Sequence, residues 1–361
     1  TVSTICDSFE CGLTLTQSEL TFINAAKLVI GDSSSGHIYV DGVDTSHISG
    51  GVTLNSSGSG GSVKFGTGSS TFKKATINAG NGVTINGDLS ITGDSVFNTD
   101  YDSNGTGTFT VAATKAITAS TISISANDFG VLGTISSGTG STTIVVSDGG
   151  TIGLGSTAGG MTISDTELGN ITAGTLNIGD SSTGNITVDG ISAANSNNAT
   201  TVNLTTGSAS SVSFSNNDST FNALTANGSS STSFDSGLTV ATDIGKLALN
   251  ATSITSAGAL TLTGATGIDF GSGVTFTAGG DLTMSTTSGD IIGTGAFTLT
   301  STGNISLTEN FTTAGATVIT ADSDGNGAGN FSNSSSTTLS TGNSALTLTA
   351  NDITLSGSIS S

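Results

Sequence analysis

The sequence is most informative in the residue types that it lacks. It contains no proline, no tryptophan and no arginine among its 361 residues. Without proline, every residue keeps the backbone N–H group that a continuous hydrogen-bonded ladder of strands requires. No apolar run approaches the roughly 20 residues that cross a membrane as a helix. We therefore expect a regular hydrogen-bonded structure and no insertion into a membrane.

Positive charge is also scarce. Six lysines stand against 26 acidic residues, and the formal net charge at pH 7 is −20. Nucleic acids and anionic membranes are bound by clustered Lys and Arg side chains. Such partners are therefore not expected, whereas the acidity suits solubility, cation binding or basic partners.

Cysteine is nearly absent, and its two copies, Cys6 and Cys11, lie close together near the amino terminus. Their spacing is not Cys-x-x-Cys and no second ligand pair follows, so the pattern favours a disulfide over a metal site. A disulfide indicates an oxidising compartment. We therefore expect a secreted protein, located outside the cell or on its surface.

What the sequence has in abundance is glycine, serine and threonine, with 53 glycines in total. Hydrophobic residues still make up 34% of the chain, and they recur in pairs spaced by two, as in LTLT at Leu260–Thr263. That alternation is typical of half-buried strands and is not typical of disorder. Short strands joined by glycine-rich turns are therefore predicted, beginning with LTL at Leu13–Leu15.

The stretch 161–191 repeats the stretch 13–43 without a gap, with Met161 aligned to Leu13. About half of the aligned pairs are identical, among them Glu19 with Glu167 and Gly31 with Gly179. We call this correspondence the first repeat alignment. Self-similarity of this length predicts stacked structural repeats in place of one globular core.

A second repeat alignment relates residues 100–137 to residues 322–361. It begins with Asp100 against Asp322 and, after a small shift, continues with Asp128 against Asp352. Its offset is larger than that of the first alignment, so the second repeat contains extra residues at about 245–320. Within them Leu260, Leu282 and Ile305 recur at nearly equal intervals.

This interval is about 22 residues, which is typical of one coil of a β-solenoid. The fold prediction is all-β, an elongated parallel β-solenoid (β-helix) with about 22 residues per coil and about 16 coils. It is divided into a cap or contact segment at 1–12 with the Cys pair, a first repeat unit at 13–160 and a second at 161–361, with extra coils at about 245–320, in one continuous solenoid.

The second unit has no counterpart of residues 138–160. Either the chain is a piece of a longer protein, or a neighbouring molecule supplies the missing coil. In the latter case the open last coil, with Ile353, Leu355 and Ile359, would stack on the amino-terminal segment of another copy, with Cys6, Phe9 and Cys11. A contact of this head-to-tail kind does not close, so it would build a filament.

The tract ISDTELGNITAGTLNIGDSSTGNITVDGI, together with AGALTLTG, AGGDLTMS and STGNISLT, resembles the large β-strand-repeat exoproteins of the filamentous haemagglutinin type. Similar repeats occur in giant surface proteins of algae. The resemblance implies a right-handed parallel β-helix outside the cell that acts as an adhesin, a fibre or a surface layer. A monomeric adhesin stalk that binds surface glycans or host or cell-surface proteins is accordingly the alternative to a self-stacking fibre.

Two D-x-D-x-N-G turns carry the only calcium-like pattern. They comprise Asp100, Asp102 and Asn104, and Asp322, Asp324 and Asn326. Oxygen ligands at alternate positions before a glycine match the start of a calcium loop. The twelfth position holds Val111 or Asn333 where a bidentate Glu is expected. The pattern favours a plain Asp/Asn/Gly turn, with a weak calcium site as the alternative and no cofactor required.

Other chemistry is weakly indicated. A metal or acid/base cluster is conceivable among His37, Tyr39, Asp41, Asp44 and His47, but exposed histidines are the preferred interpretation because the second copy replaces His37 and Tyr39 by Asn185 and Thr187. No Ser-His-Asp set or phosphate loop stands out. A solenoid enzyme that cuts acidic polysaccharides is the main catalytic alternative, but this chain lacks the Arg that would bind the substrate, so we expect no enzyme. Outward Thr-x-Thr pairs raise an ice-binding alternative, although Thr suits any exposed strand.

Overall fold

The structure is a computed structural model that describes residues 14–360. These residues are nearly all β, with parallel strands stacked as a β-solenoid of about 15 turns that lie ~22 residues apart. The predicted parallel β-solenoid is thereby confirmed. The described residues fall into two compact units, one of residues 14–153, 158–179 and 198–200, the other of residues 154–157, 180–197 and 201–360.

The elements up to residue 178 are two short helices and nineteen strands within the described range. They are α1 Gln17–Thr21, β1 Leu28–Asp32, β2 Ile38–Val40, β3 Asp44–Thr45, β4 Val52–Ser56, β5 Val63–Phe65, β6 Ser70–Phe72, β7 Ala75–Ala79, β8 Val83–Ile85, β9 Leu89–Ile91, β10 Asp94–Asn98, β11 Thr108–Val111, β12 Ala116–Thr118, β13 Thr121–Ala126, β14 Asp128–Val131, β15 Thr134–Ser136, β16 Ser141–Val146, β17 Ile152–Gly155, β18 Met161–Ile163, α2 Asp165–Gly169 and β19 Ile171–Ile178.

The elements from residue 186 onward continue the same pattern of short strands. They are β20 Ile186–Asp189, α3 Ala193–Ser196, β21 Ala199–Thr205, β22 Ser211–Phe214, β23 Ser219–Phe221, β24 Leu224–Asn227, β25 Ser231–Phe234, β26 Leu238–Thr242, β27 Leu247–Leu249, β28 Ser253–Ser256, β29 Leu260–Gly264, β30 Ile268–Phe270, β31 Val274–Ala278, β32 Leu282–Thr286, β33 Ile291–Gly293, β34 Phe297–Ser301, β35 Ile305–Leu307, β36 Phe311–Thr313, β37 Thr317–Thr320, β38 Phe331–Asn333, β39 Thr338–Ser340, β40 Leu346–Thr349, β41 Ile353–Leu355 and β42 Ser358–Ser360.

In the first unit, three parallel ladders form because each of the strands β1 to β13 pairs with the third strand after it. One ladder runs β1–β4–β7–β10–β13–β16–β19. A second runs β2–β5–β8–β11–β14, and a third runs β3–β6–β9–β12–β15–β19. Each coil therefore contributes to each ladder, and the long strand β19 belongs to both the first and the third.

In the second unit, described by itself, each of the strands β21 to β39 pairs with the third strand after it, whereas β20 pairs with β22. Its ladders are β21–β24–β27–β30–β33–β36–β39–β42, β20–β22–β25–β28–β31–β34–β37–β40 and β23–β26–β29–β32–β35–β38–β41. Leu260 pairs with Leu282, and Leu282 pairs with Ile305, so the period read from the sequence matches the pairing of successive coils.

The core of each unit is a stack of apolar side chains in register. In the first unit Ile77, Phe97, Ile124, Ile144 and Ile178 follow one another across paired strands, and each is fully buried. Successive residues of a strand point to opposite faces, so the intervening Ser, Thr and Asn side chains face outward. The alternation in the sequence thus becomes one continuous buried column.

Aromatic rings occupy the same inward positions in the second unit. Phe214 and Phe234 stack with centroids 5.0 Å apart and an interplanar angle of 11°. Phe297 contacts Phe270 at 5.0 Å and Phe311 at 5.2 Å. Each buried Phe contributes roughly 1.5–3 kcal/mol relative to an exposed one.

The predicted strand at Leu13–Leu15 is wrong for the part that the structure describes, because residues 14–16 form no strand and lead into α1. The helices were not predicted. A capping box starts both α1 and α2, with Thr16 and Glu19 in the first and Ser164 and Glu167 in the second. The pattern S/T-x-x-E was the available signal, but the surrounding strand-like alternation concealed it.

Candidate functional site

The first D-x-D-x-N-G turn makes its coil longer than the one before. More residues separate Ser95 from its partner Ile122 on the next coil than separate Ala75 from its partner Ser95. Asp100 is buried, and its carboxylate accepts backbone N–H groups from Asn104 at 3.0 Å and Gly105 at 3.2 Å. The carboxylate of Asp100 therefore closes the loop on itself. Within the loop, the Asp102 carboxylate also accepts a hydrogen bond from the Asn104 side chain at 2.8 Å.

The second turn is similar but more exposed. Both carboxylate oxygens of Asp322 accept the Gly327 N–H at 3.1 Å, and Asp324 accepts a hydrogen bond from the Asn326 side chain at 2.8 Å. These bonds are those of Asx-type turns. Within residues 14–360, no group of three or more His, Cys, Asp or Glu side chains is arranged to hold a metal ion. Calcium binding stays a prediction.

The histidine-containing cluster does not converge on one point. Nδ1 of His37 lies 2.7 Å from the Ser62 hydroxyl, while Nε2 of His47 lies 3.2 Å from the Leu20 carbonyl oxygen. Asp44 is engaged locally, since its Oδ1 accepts the Ser46 N–H at 2.9 Å. That backbone hydrogen bond and a further one with the Ser46 side chain hold the pKa of Asp44 below its ordinary value. The two imidazoles and the Asp44 carboxylate thus each have their own nearby partner.

An open groove lies at a corner of the first unit, between consecutive coils. It is lined by Ile91, Thr118, Ala119, Ser120 and residues 136–140. None of these residues carries a carboxylate, an imidazole or an amine. The groove itself therefore offers hydroxyl and backbone groups for hydrogen bonding, and no acid or base.

Of the residues predicted to take part in assembly, Cys6, Phe9 and Cys11 lie outside the described residues. The other three lie in the last coil, formed by β40, β41 and β42. Their side chains are exposed, Ile353 by 40%, Leu355 by 49% and Ile359 by 39%.

The same positions in the first unit are covered. The second repeat alignment matches Ile353, Leu355 and Ile359 to Phe129, Val131 and Ile135, which are 4%, 0% and 0% exposed. Similar apolar strand positions are therefore buried where another described coil lies beside them and exposed where no described coil does.

The backbone of the last coil is open in the same direction. Strands β40, β41 and β42 pair with β37, β38 and β39, and no other described strand pairs with them. Parallel strands with one unpaired side present free N–H and C=O groups to an additional strand. The last coil thus combines apolar side chains with an open sheet edge.

The first described coil is exposed as well. The side chain of Phe22 is 85% exposed and that of Val29 is 56% exposed. Within residues 14–360, eight large hydrophobic side chains are exposed, and five of them lie in the first and last coils. The exposed apolar residues are therefore concentrated at these two coils.

Glu19 and Glu167 cap the helices α1 and α2, a role that was not predicted from the sequence. Oε2 of Glu19 accepts the Thr16 N–H at 2.7 Å, and this backbone bond followed by the Thr16 hydroxyl bond lowers the pKa of the Glu19 carboxyl. Their identity between the two repeat copies was visible in the sequence, but the partner of the second oxygen depends on which coil lies beside the helix.

No helix among the described residues is long and apolar enough to cross a membrane. Compared with known proteins, the chain matches no family model, and neither a curated protein nor a solved structure is found to be similar to it. The resemblance to exoproteins of the filamentous haemagglutinin type therefore stays a prediction.

Proposed function

We propose that this chain is an extracellular structural protein whose solenoid coils stack head to tail with further copies into a filament or surface fibre. The observation that carries the proposal is the open edge of the last coil, where Ile353, Leu355 and Ile359 are about two-fifths to one-half exposed. Exposed parallel edges are templates for further strands. The first described coil of a second copy, where Phe22 and Val29 are exposed, offers an apolar surface to cover that edge.

Stacking of this kind is heterologous, because the surface at one coil differs from the surface it meets. Contacts of that type propagate unless a rotation closes them into a ring. Continuous backbone hydrogen bonding through successive coils would make the fibre stiff. The Ser, Thr and Asn side chains on the outward positions keep the flanks polar, and the net charge of −20 adds repulsion between molecules. Both oppose lateral aggregation.

The test is the assembly state of the purified 361-residue chain at neutral pH, followed by light scattering and electron microscopy. We expect filaments from the unmodified chain and from Leu132→Asp, whose side chain is 73% exposed away from the last coil. Leu355→Asp places a charge on the open edge and should leave monomers. Circular dichroism checks that both variants keep their strand content.

Monomers of the unmodified chain at all concentrations would overturn the self-assembly proposal and leave the adhesin stalk as the better account. A parallel series with added calcium separates a further possibility. Filaments that appear only with calcium would assign a function to the turns at Asp100 and Asp322.

A further inference from the structure

The two capping-box helices are internal copies of each other. In α1, Oε2 of Glu19 accepts hydrogen bonds from the N–H and hydroxyl of Thr16 at 2.7 and 2.8 Å. In α2, Oε2 of Glu167 accepts the same pair of hydrogen bonds from Ser164 at 2.9 and 2.7 Å. One carboxylate oxygen is thus committed to the cap in both copies.

The other oxygen distinguishes the copies. Oε1 of Glu167 accepts the backbone N–H of Val131, on the preceding coil, at 3.0 Å. No described residue donates a hydrogen bond to Oε1 of Glu19. Charge-assisted bonds from a carboxylate to a backbone N–H are among the stronger hydrogen bonds of proteins. The first copy therefore carries an exposed acceptor that the second copy uses to hold a neighbouring coil.

The contact around Glu167 continues into a strand pairing. The carbonyl oxygen of Asn170 accepts the Ile135 N–H at 2.9 Å, and Ile135 then pairs in parallel with Ile171. This junction of β14 and β15 with the α2 coil lies wholly within the first unit. It shows how a coil that contains a helix stacks on a coil that contains only strands.

The strand-only side of this junction, formed by β14 and β15, has a counterpart in β41 and β42 of the last coil. The second repeat alignment, which relates Asp128 to Asp352, matches β15 to β42 residue for residue, with Ile135 corresponding to Ile359. It also matches Val131 to Leu355. Both residues of the last coil are exposed where their counterparts are buried.

The N–H groups at the two places point the same way. Thr134 donates back to the Lys115 carbonyl oxygen at 2.8 Å, and Ser358 donates back to the Thr337 carbonyl oxygen at 2.8 Å. Along a strand, successive N–H groups alternate in direction. The next N–H of β42, that of Ile359, therefore points to the open side, as that of Ile135 points to Asn170.

We propose that the α1 coil of one molecule docks on β41 and β42 of a second copy of this chain, in the register of the internal junction. Oε1 of Glu19 accepts the Leu355 N–H, the carbonyl oxygen of Phe22 accepts the Ile359 N–H, and Ile23 pairs in parallel with Ile359. This contact rests on the proposed head-to-tail function and specifies its interface.

The contact covers two of the three ladders. The third ladder of the internal junction is filled by β16, Ser141–Val146. The proposed contact does not include a counterpart of that strand.

A disulfide ladder tests the register. Partner residues on adjacent parallel strands lie about 4.8 Å apart, within the roughly 4.4–6.8 Å that a disulfide spans. We therefore expect the pair Ile23→Cys and Ile359→Cys, in a background with Cys6→Ser and Cys11→Ser, to form a ladder of oligomers on oxidation, which collapses on reduction. Ile23→Cys paired with Leu132→Cys is the matched control and should give no ladder.

The outcomes separate the two proposals. Filaments seen by light scattering in the cysteine background without a disulfide ladder would overturn this register and leave head-to-tail stacking standing. Monomers in the cysteine background and in the unmodified chain alike would overturn both.

A second measurement needs no substitution. In the unmodified chain, hydrogen exchange at the Leu355 and Ile359 amides should slow at least tenfold between dilute and assembling concentrations. Unchanged exchange at these two amides in assembled material would contradict the contact even if the cysteine variants failed to fold.

Discussion

The hydroxyl of Ser147 donates a hydrogen bond to Oδ2 of Asp100 across 2.7 Å, although 47 residues separate them in sequence. The bond joins the first D-x-D-x-N-G loop to the residue that directly follows β16. Asp100 therefore has a structural partner that the second loop, at Asp322, does not share.

Asp100→Ala should lower the free energy of unfolding by about 1–3 kcal/mol, because it leaves the donors of Asn104, Gly105 and Ser147 without their acceptor in a buried setting. Asp322→Ala is the matched control and should cost less, since water reaches the Gly327 N–H at this more exposed loop. Urea denaturation followed by circular dichroism gives both values. Equal losses would contradict the asymmetry.

Phe234→Ala should destabilise the chain by about 3–5 kcal/mol, the usual cost of removing a buried ring and leaving a cavity. The ring stacks on Phe214 at 5.0 Å and is 2% exposed. Leu132→Ala, at a side chain that is 73% exposed, should change stability by no more than about 0.5 kcal/mol. Thermal melting compares the two, and similar melting temperatures would argue against a close-packed column of rings.

Gly31→Ala should destabilise the first unit by more than about 1 kcal/mol. The backbone of Gly31 has φ +81°, and an added Cβ would lie 2.2 Å from the carbonyl oxygen of Asn55. Gly36→Ala, in the turn that follows β1, would meet nothing within 4 Å and should be close to neutral. Chemical denaturation of the two variants distinguishes strain at one position from a general intolerance of the turn.

Stability should fall in acid through Asp180. Partial burial raises the pKa of this carboxyl, but hydrogen bonds from Ser182 and Thr183 outweigh it and hold the pKa below the ordinary 3.8. A lowered folded-state pKa contributes stability that is fully present above the ordinary value and is lost as pH falls through the folded value.

Asp180→Asn should therefore reduce stability at pH 7 and flatten its decline below about pH 4. Thr183→Val removes the hydroxyl that donates to Asp180 Oδ1 at 3.1 Å and should give an intermediate profile. Urea midpoints at pH 7, 4 and 3 provide the comparison. If the urea midpoint of Asp180→Asn fell with pH as steeply as that of the unmodified chain, other carboxyl groups would be responsible for the loss of stability in acid.

The fold follows from patterns that are local in the sequence. Alternation of apolar and polar residues sets which side chains face inward. The coil period of ~22 residues sets how often the chain returns to the same face, as Leu260, Leu282 and Ile305 show. The helices escaped prediction because so short a helix with one capping box gives a weaker signal than the strands around it.

The candidate site was only partly predictable. Ile353, Leu355 and Ile359 were predicted as assembly residues because the second repeat has no counterpart of residues 138–160, and the structure shows their side chains exposed. Glu19 was not, since its carboxylate looks the same in both copies, and its role depends on whether a Val131-like N–H lies beside it.

Spacing along the chain was sufficient to predict the parallel β class, the coil period and the inward column of Ile, Val, Leu and Phe. Only the tertiary structure decided which coil covers which residue. The number of residues per coil also varies. More residues separate Thr142 from its partner Leu176 than separate Ile122 from its partner Thr142. Ile135 and Ile359 are isoleucines in matching strands, yet Ile135 is fully buried and Ile359 is 39% exposed. The difference arises because Ile135 pairs with Ile171 on the next coil, whereas Ile359 pairs only with Leu339 among the described residues.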